Sequence, residues 1–133
     1  LNGITTYRIK GSGPAGSPVA VPFSGSGLWG PVEGFLALEP DMRTVRAISF
    51  YRQKETPGLG GEISTDSFEK RFEGRSIVGP EGETGIKLVS GRDASARNEV
   101  DAITGATMTS SKVQLMLNLT IQHIVKETRK DVR

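Results

Sequence analysis

Asp101-Ala-Ile-Thr-Gly-Ala-Thr-Met-Thr-Ser-Ser111 is the stretch whose residue types and spacing suit chemistry best. Hydroxyl and small residues crowd together there, immediately before an amphipathic helical pattern. Gly105 and Ala106 let a ligand come close to the backbone. A helix N-terminus behind them offers unpaired N–H groups and a partial positive charge, which together make a seat for a phosphate. On the residues alone an over-furnished N-cap explains the same pattern, so capping and anion binding both stand. Gly25-Ser-Gly-Leu-Trp-Gly30 matches G-x-G-x-x-G letter for letter. Pro31 and a strand-like run follow it, however, and residues 45–50 contain no acid, so the dinucleotide fingerprint is not met. That turn carries Trp29, the only tryptophan, as either a plug at the core edge or a ligand contact.

Other chemistries are excluded by what is missing. The chain has no cysteine, which removes a disulfide framework, a thiolate metal site and a thiol nucleophile. A single histidine, His123, removes a two-histidine metal site and argues against a Ser-His-Asp triad, and no metal ligand set is expected. No Gly-Lys dipeptide exists to build a nucleotide-binding P-loop. Asn118-Leu-Thr120 matches a glycosylation sequon but falls in mid-helix, where chance explains it better. Lys plus Arg is 17 against 15 Asp plus Glu, so the pI of 9.1 rests on two charges and makes no case for nucleic acid.

The elements that must position these residues fit one domain, residues 1–133, since that length buries about two thirds of its surface and leaves no long linker. Gly 17 plus Pro 7 marks a chain with many turns. Tyr7–Lys10 reads as a short strand before the Gly11–Ser17 loop, and Val19, Val21 and Phe23 alternate as a strand. Residues 24–31 read as a glycine-rich turn. Val32–Leu38 and Val45–Tyr51 read as two central strands joined by the turn Glu39-Pro-Asp-Met42. Residues 56–61 hold too much glycine and proline for regular structure. A short helix is predicted near 66–72, with Phe68 and Phe72 on one face. Ile77-Val78, Ile86–Val89 and Val100–Ile103 are short strand candidates. Val113, Met116, Leu117, Thr120, Ile121 and Ile124 predict a long C-terminal helix near 111–128, with Ser111 and Gln114 as its capping box. The fold class is α+β with a mixed or antiparallel sheet. No run reaches the ~18 apolar residues of a membrane span, and residues 1–20 have no signal-peptide core.

Asp101–Thr107 with the Met-Thr-Ser that follows resembles the attachment motif of FMN-binding domains flavinylated through a threonine phosphoester. Glu55-Thr-Pro-Gly-Leu-Gly60 resembles the flavin-side loop of that family. Gly27-Leu-Trp-Gly-Pro-Val-Glu-Gly-Phe-Leu-Ala-Leu38 looks like the branch of it found in sodium-pumping NADH:quinone oxidoreductases. The resemblance covers roughly residues 25–128. It implies that Thr107 carries FMN, that Thr104, Gly105, Ala106, Met108 and Thr109 surround the phosphate and ribityl chain, and that Trp29, Thr56, Leu59 and Gly60 line the isoalloxazine. Physics suits that division, because a large flat ring wants an apolar face and a few hydrogen bonds to its edge. Backbone N–H groups of Gly58-Leu59-Gly60 are candidates for that edge. The resemblance further implies a separate Mg²⁺-dependent flavin transferase using FAD, with Asp101 read by that enzyme rather than by the phosphate.

The function implied is that of an electron-carrying redox subunit of a sodium-translocating NADH:quinone (ubiquinone) reductase, with no complete catalytic site in this chain alone. Its partners would be the other subunits, its place the outer, periplasmic face of a bacterial inner membrane, and its anchor an N-terminal membrane helix that these 133 residues do not include. Two alternatives remain from the sequence. One is the homologous FMN subunit of the ferredoxin-linked Rnf complex or another flavinylated reductase; the other is a non-redox module that binds phosphate or a partner at residues 101–111.

Overall fold

The computed structural model describes residues 4–8, 16–91 and 93–131. Strands β1 (Tyr7–Arg8), β2 (Val19–Ser26), β3 (Pro31–Leu38) and β4 (Val45–Arg52) form an antiparallel sheet in that order. A 3-10 helix (Gly60–Ser64) and the short helix α1 (Asp66–Lys70) follow. Strands β5 (Lys87–Val89) and β6 (Glu99–Asp101) pair in parallel as a separate ladder, and the long helix α2 (Thr107–Asp131) comes last. The architecture is the expected α+β one. Ile9, Lys10 and residues 11–15 of the predicted first strand and loop lie outside the described residues.

One face of the sheet makes the core. Val21 and Phe23 of β2, Val32, Leu36 and Leu38 of β3, and Val45, Ile48 and Phe50 of β4 are all buried. Val113, Met116, Leu117, Ile121 and Ile124 pack from α2, recurring at the helical spacing that puts them on one stripe. Phe68 and Phe72 pack edge to face with centroids 5.3 Å apart and close the core over β4. On the opposite sheet face Phe35 touches the rings of Tyr7 and Tyr51 at 5.9 and 5.4 Å, and both tyrosines are exposed.

Several boundaries differ from the sequence reading for physical reasons. Strand β4 is the outer strand rather than a central one. Its apolar composition reflects cover by α1 and the turn behind it: Val45 donates to the Arg75 carbonyl at 2.7 Å, Gly74 to the Val45 carbonyl at 2.8 Å, and Phe50 to Glu69 Oε2 at 2.9 Å. Strand β2 continues through Ser26, so the glycine-rich turn shrinks to residues 27–30. Gly60 and Gly61 enter the 3-10 helix, although their composition predicts irregular structure. Ile77-Val78 is no strand; Ser76 and Val78 make single bridges to Thr44 and Thr84.

The most consequential difference is the start of α2. It begins at Thr107, four residues before the predicted capping box. Ser111 is therefore already in the second turn, and Gln114 does other work: its Oε1 accepts the Leu88 N–H at 2.8 Å. One turn later Asn118 forms a two-way pair with Ile86, accepting from its N–H at 2.9 Å and donating to its carbonyl at 3.0 Å. These amides bond the chain before and within β5 as a neighbouring strand would, and they leave Asn118 half-buried and doubly bonded in mid-helix, in keeping with a chance match to the sequon. His123 lies exposed on α2 with Glu127 at 3.9 Å, as a solvated helix histidine should.

Because Ile86 is buried, Asn118→Ala would strand its N–H and carbonyl. We expect a loss of about 2 kcal/mol or more in urea unfolding, against under about 0.5 kcal/mol for the exposed Gln122→Ala. Equal effects of the two substitutions would show that water or a neighbour replaces the amide pair.

Candidate functional site

Three segments distant in sequence meet at the N-terminal end of α2. The first is the turn 27–30 between β2 and β3, closed by a Gly27 N–H to Gly30 carbonyl bond of 2.8 Å. The second is the loop after β4, where the Thr56 carbonyl accepts the N–H of Leu59 at 3.0 Å and of Gly61 at 2.9 Å. The third is the turn from β6 into α2. Arg71 braces it from α1's C-terminus, donating to the Asp101 and Ala102 carbonyls at 3.0 and 3.1 Å while stacking on Phe68.

The residue before α2 is Ala106, which is buried and has no side-chain oxygen to cap the helix. The turn into it needs Gly105, whose φ of 79° is costly for any residue with a Cβ. In the turn before the helix the Ala106 N–H returns to the Ile103 carbonyl at 3.1 Å, and within it the Ser110 N–H returns to the Ala106 carbonyl at 3.0 Å. The N–H groups of Thr107, Met108 and Thr109 precede it at the end that helix geometry leaves open, and the first turn contains no carboxylate.

Beside that terminus lies a cavity of about 440 Å³ lined by Leu28, Trp29, Thr56, Leu59, Gly60, Gly105, Ala106, Thr107, Met108 and Thr109. Trp29 is 67% exposed, Met108 62% and Leu59 46%, so three large apolar side chains stand in solvent around one hollow. That exposure rules out the core-plug reading of Trp29. A smaller hollow of about 200 Å³ adjoins it, and its lining includes Ser90, Thr104, Thr107, Ser110 and Ser111. Thr107 and Gly105 line both.

The site residues expected from the sequence gather here. Trp29, Thr56, Leu59, Gly60, Gly105, Ala106, Thr107, Met108 and Thr109 share the larger cavity, while Thr104 lines only the smaller one. Thr109 is buried and its hydroxyl turns inward to donate to Glu55 Oε1 at 2.9 Å. Asp101 sits half-buried with Oδ1 accepting the Ala94 N–H at 3.0 Å. The N–H of Leu59 is spent on the Thr56 turn and is not free for a ligand edge.

Two residues of the site, Leu28 and Glu55, stand in segments the sequence singles out but are not themselves among the expected site residues. Leu28 lines the cavity but carries no signal of its own beside Trp29. Glu55 is only 4% exposed, and its carboxylate accepts the Leu28 N–H at 2.8 Å, the Trp29 N–H at 2.9 Å and the Thr109 hydroxyl. Burial alone pushes this carboxyl up, but these three bonds and the nearby Lys112 ammonium together hold it below the ordinary glutamate value. The available signal is a lone acid heading a Thr-Pro-Gly-Leu-Gly loop; its partners lie 26, 27 and 54 residues away.

Known proteins resemble this chain in sequence and in fold. The C subunit of the Na(+)-translocating NADH-quinone reductase of Pasteurella multocida is 38% identical over 107 residues, which is 80% of this chain and 41% of that one. The corresponding C subunit of Vibrio anguillarum is 42% identical over 109 residues, 81% of this chain and 42% of its own. The chain thus spans less than half the length of these relatives. Among solved structures, NqrC of Shewanella oneidensis superposes with a TM-score of 0.76 at 31% identity, covering 87% of this chain and 54% of that one. The C subunit of the Na(+)-translocating NADH-quinone reductase from Parabacteroides distasonis gives 0.74 at 31% identity, covering 92% and 60%. Residues 27–122 match the FMN-binding domain, a span that takes in the Trp29 turn, the Thr56–Gly60 loop and the bare start of α2, and the chain belongs to that family.

Proposed function

We propose that this chain is the flavin-bearing domain of an NqrC-type subunit of a sodium-translocating NADH:quinone reductase, with FMN esterified through its phosphate to Thr107. The observation that supports this above others is the uncapped N-terminus of α2 opening beside a cavity rimmed by the exposed Trp29, Leu59 and Met108. An alanine at the capping position and a first turn free of carboxylates suit a phosphate. Apolar side chains left in solvent suit a large flat ring. A module binding phosphate alone would have no use for that apolar rim, and the NqrC relatives favour the sodium pump over the Rnf homologue.

Bound flavin supplies the redox centre, and the residues of this chain hold it, orient it and keep water from it. The open N–H groups of Thr107 to Thr109 would hold the phosphate, with Thr104 lining the adjoining hollow. Leu59 and Trp29 offer faces to the ring. Thr56 lines the cavity and its hydroxyl would be available to the ring edge, whereas Glu55 already takes the N–H groups of Leu28 and Trp29. The first turn of α2 would hold such a centre at a fixed place on the end of a long helix, as transfer to neighbouring redox subunits would require. A flavin transferase makes the ester, so this chain needs no catalytic site for it. In this reading the domain lies at the outer face of a bacterial inner membrane, anchored by a helix beyond the residues here; among the described residues no helix is long and apolar enough to cross a membrane.

Three measurements test the proposal. After co-expression with the transferase and export, intact mass should find covalent FMN on the native chain, none on Thr107→Ala and a partial load on Thr107→Ser; flavin retained by denatured Thr107→Ala sinks the assignment. Trp29 emission should be strongly quenched in the flavinylated form relative to the bare one, and equal emission would separate Trp29 from the ring. Asp101→Asn keeps an acceptor for the Ala94 N–H while removing charge, so the bare domain should melt within a few degrees of native yet be flavinylated much more slowly. A variant that unfolds easily but is modified at the normal rate would make Asp101 structural.

A further inference from the structure

We propose that the Glu55 carboxylate is the positioning group of the site, fixing the register between the threonine that carries the phosphate and the walls that receive the ring. The consequence for flavin rests on the function proposed above; the clamp itself does not. Oε1 accepts from the Leu28 N–H at 2.8 Å and the Thr109 hydroxyl at 2.9 Å, and Oε2 accepts from the Trp29 N–H at 2.9 Å. One buried side chain therefore ties the Trp29 turn and the first turn of α2 to the loop that bears Thr56 and Leu59. Its own backbone N–H is held by Gln53 Oε1 at 2.8 Å, and Gln53 reaches on to Ser64 at 3.2 Å, so the clamp is anchored from behind.

Both neighbouring turns make room for it. A Cβ on Gly27 would stand 3.0 Å from the Glu55 carboxylate, and one on Gly60 would stand 3.0 Å from Glu55 Cβ and collide with the Thr109 hydroxyl. Thr109 lies two residues past Thr107, on the inward side of the same helical turn, whereas Thr107 faces out. Fixing the Thr109 hydroxyl fixes the rotation of that turn about the helix axis, and with it the direction of the Thr107 hydroxyl.

The clamp needs a carboxylate and not merely a polar side chain of the same shape. A carboxylate only accepts, and three donors point at it. A glutamine must turn its NH₂ toward either the Trp29 N–H or the Leu28 N–H, leaving one of them facing another donor. Glu55→Gln thus removes one bond of the clamp at constant volume, and Thr109→Val removes the bond to α2, while Thr109→Ser keeps it.

The test begins on the bare chain, by amide exchange at Leu28 and Trp29 and by acrylamide quenching of Trp29 emission. Glu33→Gln, a surface carboxylate paired with Arg52, is the control. Glu55→Gln should speed exchange at one of the two amides by about tenfold or more, and change the acrylamide quenching constant of the already exposed Trp29. Thr109→Val should rotate the Thr107 turn and slow flavinylation, with Thr109→Ser restoring it. On the flavinylated chain both Glu55→Gln and Thr109→Val should change the visible circular dichroism of the flavin, which Glu33→Gln should leave alone. Exchange, quenching and dichroism matching the Glu33→Gln control would overturn the proposal. Should Glu55→Gln fail to fold, the contrast between Thr109→Val and Thr109→Ser decides, and no difference between them overturns it. A native chain that takes up no flavin would instead overturn the function above while leaving the exchange result to judge the clamp.

Discussion

A carboxylate stays ionised away from water only when donors replace its hydration, and the shape of this site follows from how Glu55 meets that requirement. Two backbone N–H groups and one hydroxyl converge on it from segments that share no local sequence. Each donor drags its segment with it: the Trp29 turn from one hairpin, the start of α2 from the far end of the chain. The hydrogen bonds that keep the charge buried are thereby the same ones that close a cavity, and loosening either loosens both.

The rest of the domain holds α2 where those bonds need it. Met116, Leu117 and Ile121 seat the helix on the sheet, while Gln114 and Asn118 bond the backbone of residues 86–88 as a neighbouring strand would. Arg71 steadies the turn into the helix through carbonyls at 101 and 102. These contacts are side chain to backbone over about 30 residues of separation, which is how a chain with short β5 and β6 strands keeps a long helix in one register.

Much of this is legible in the sequence, in pieces. The periodic apolar residues of α2, the alternation in β2 and the Phe68–Phe72 pair announce their elements, because burial there is decided within a few neighbours. The attachment turn, Trp29 and the Thr56–Gly60 loop are separately visible, and resemblance assigns them to one ligand. That they meet cannot be read, since the meeting depends on Glu55 and on pairings across 26 to 54 residues. The start of α2 is displaced from its sequence expectation for a related reason: Ser111 and Gln114 have capping chemistry, but β5 lies close enough to claim Gln114, and tertiary demand wins. The edge position of β4 is hidden likewise, because its covering partner is a turn and a glutamate rather than a strand.

The alanine before α2 has a consequence for thermodynamics. Serine, threonine, aspartate or asparagine at that position would be worth about 1 kcal/mol to the helix, and Ala106 forgoes it. On the function proposed above, a flavin phosphate would take the place of water at this helix end, so that part of the fold's free energy would be lodged in a molecule outside the polypeptide. By mass action a reversibly held anion would return it in proportion to its free concentration and surrender it on dilution. A bonded one contributes at any concentration. On that proposal the bare and loaded domains would be two materials with different melting behaviour, and the less stable of them would be what a modifying enzyme recognises.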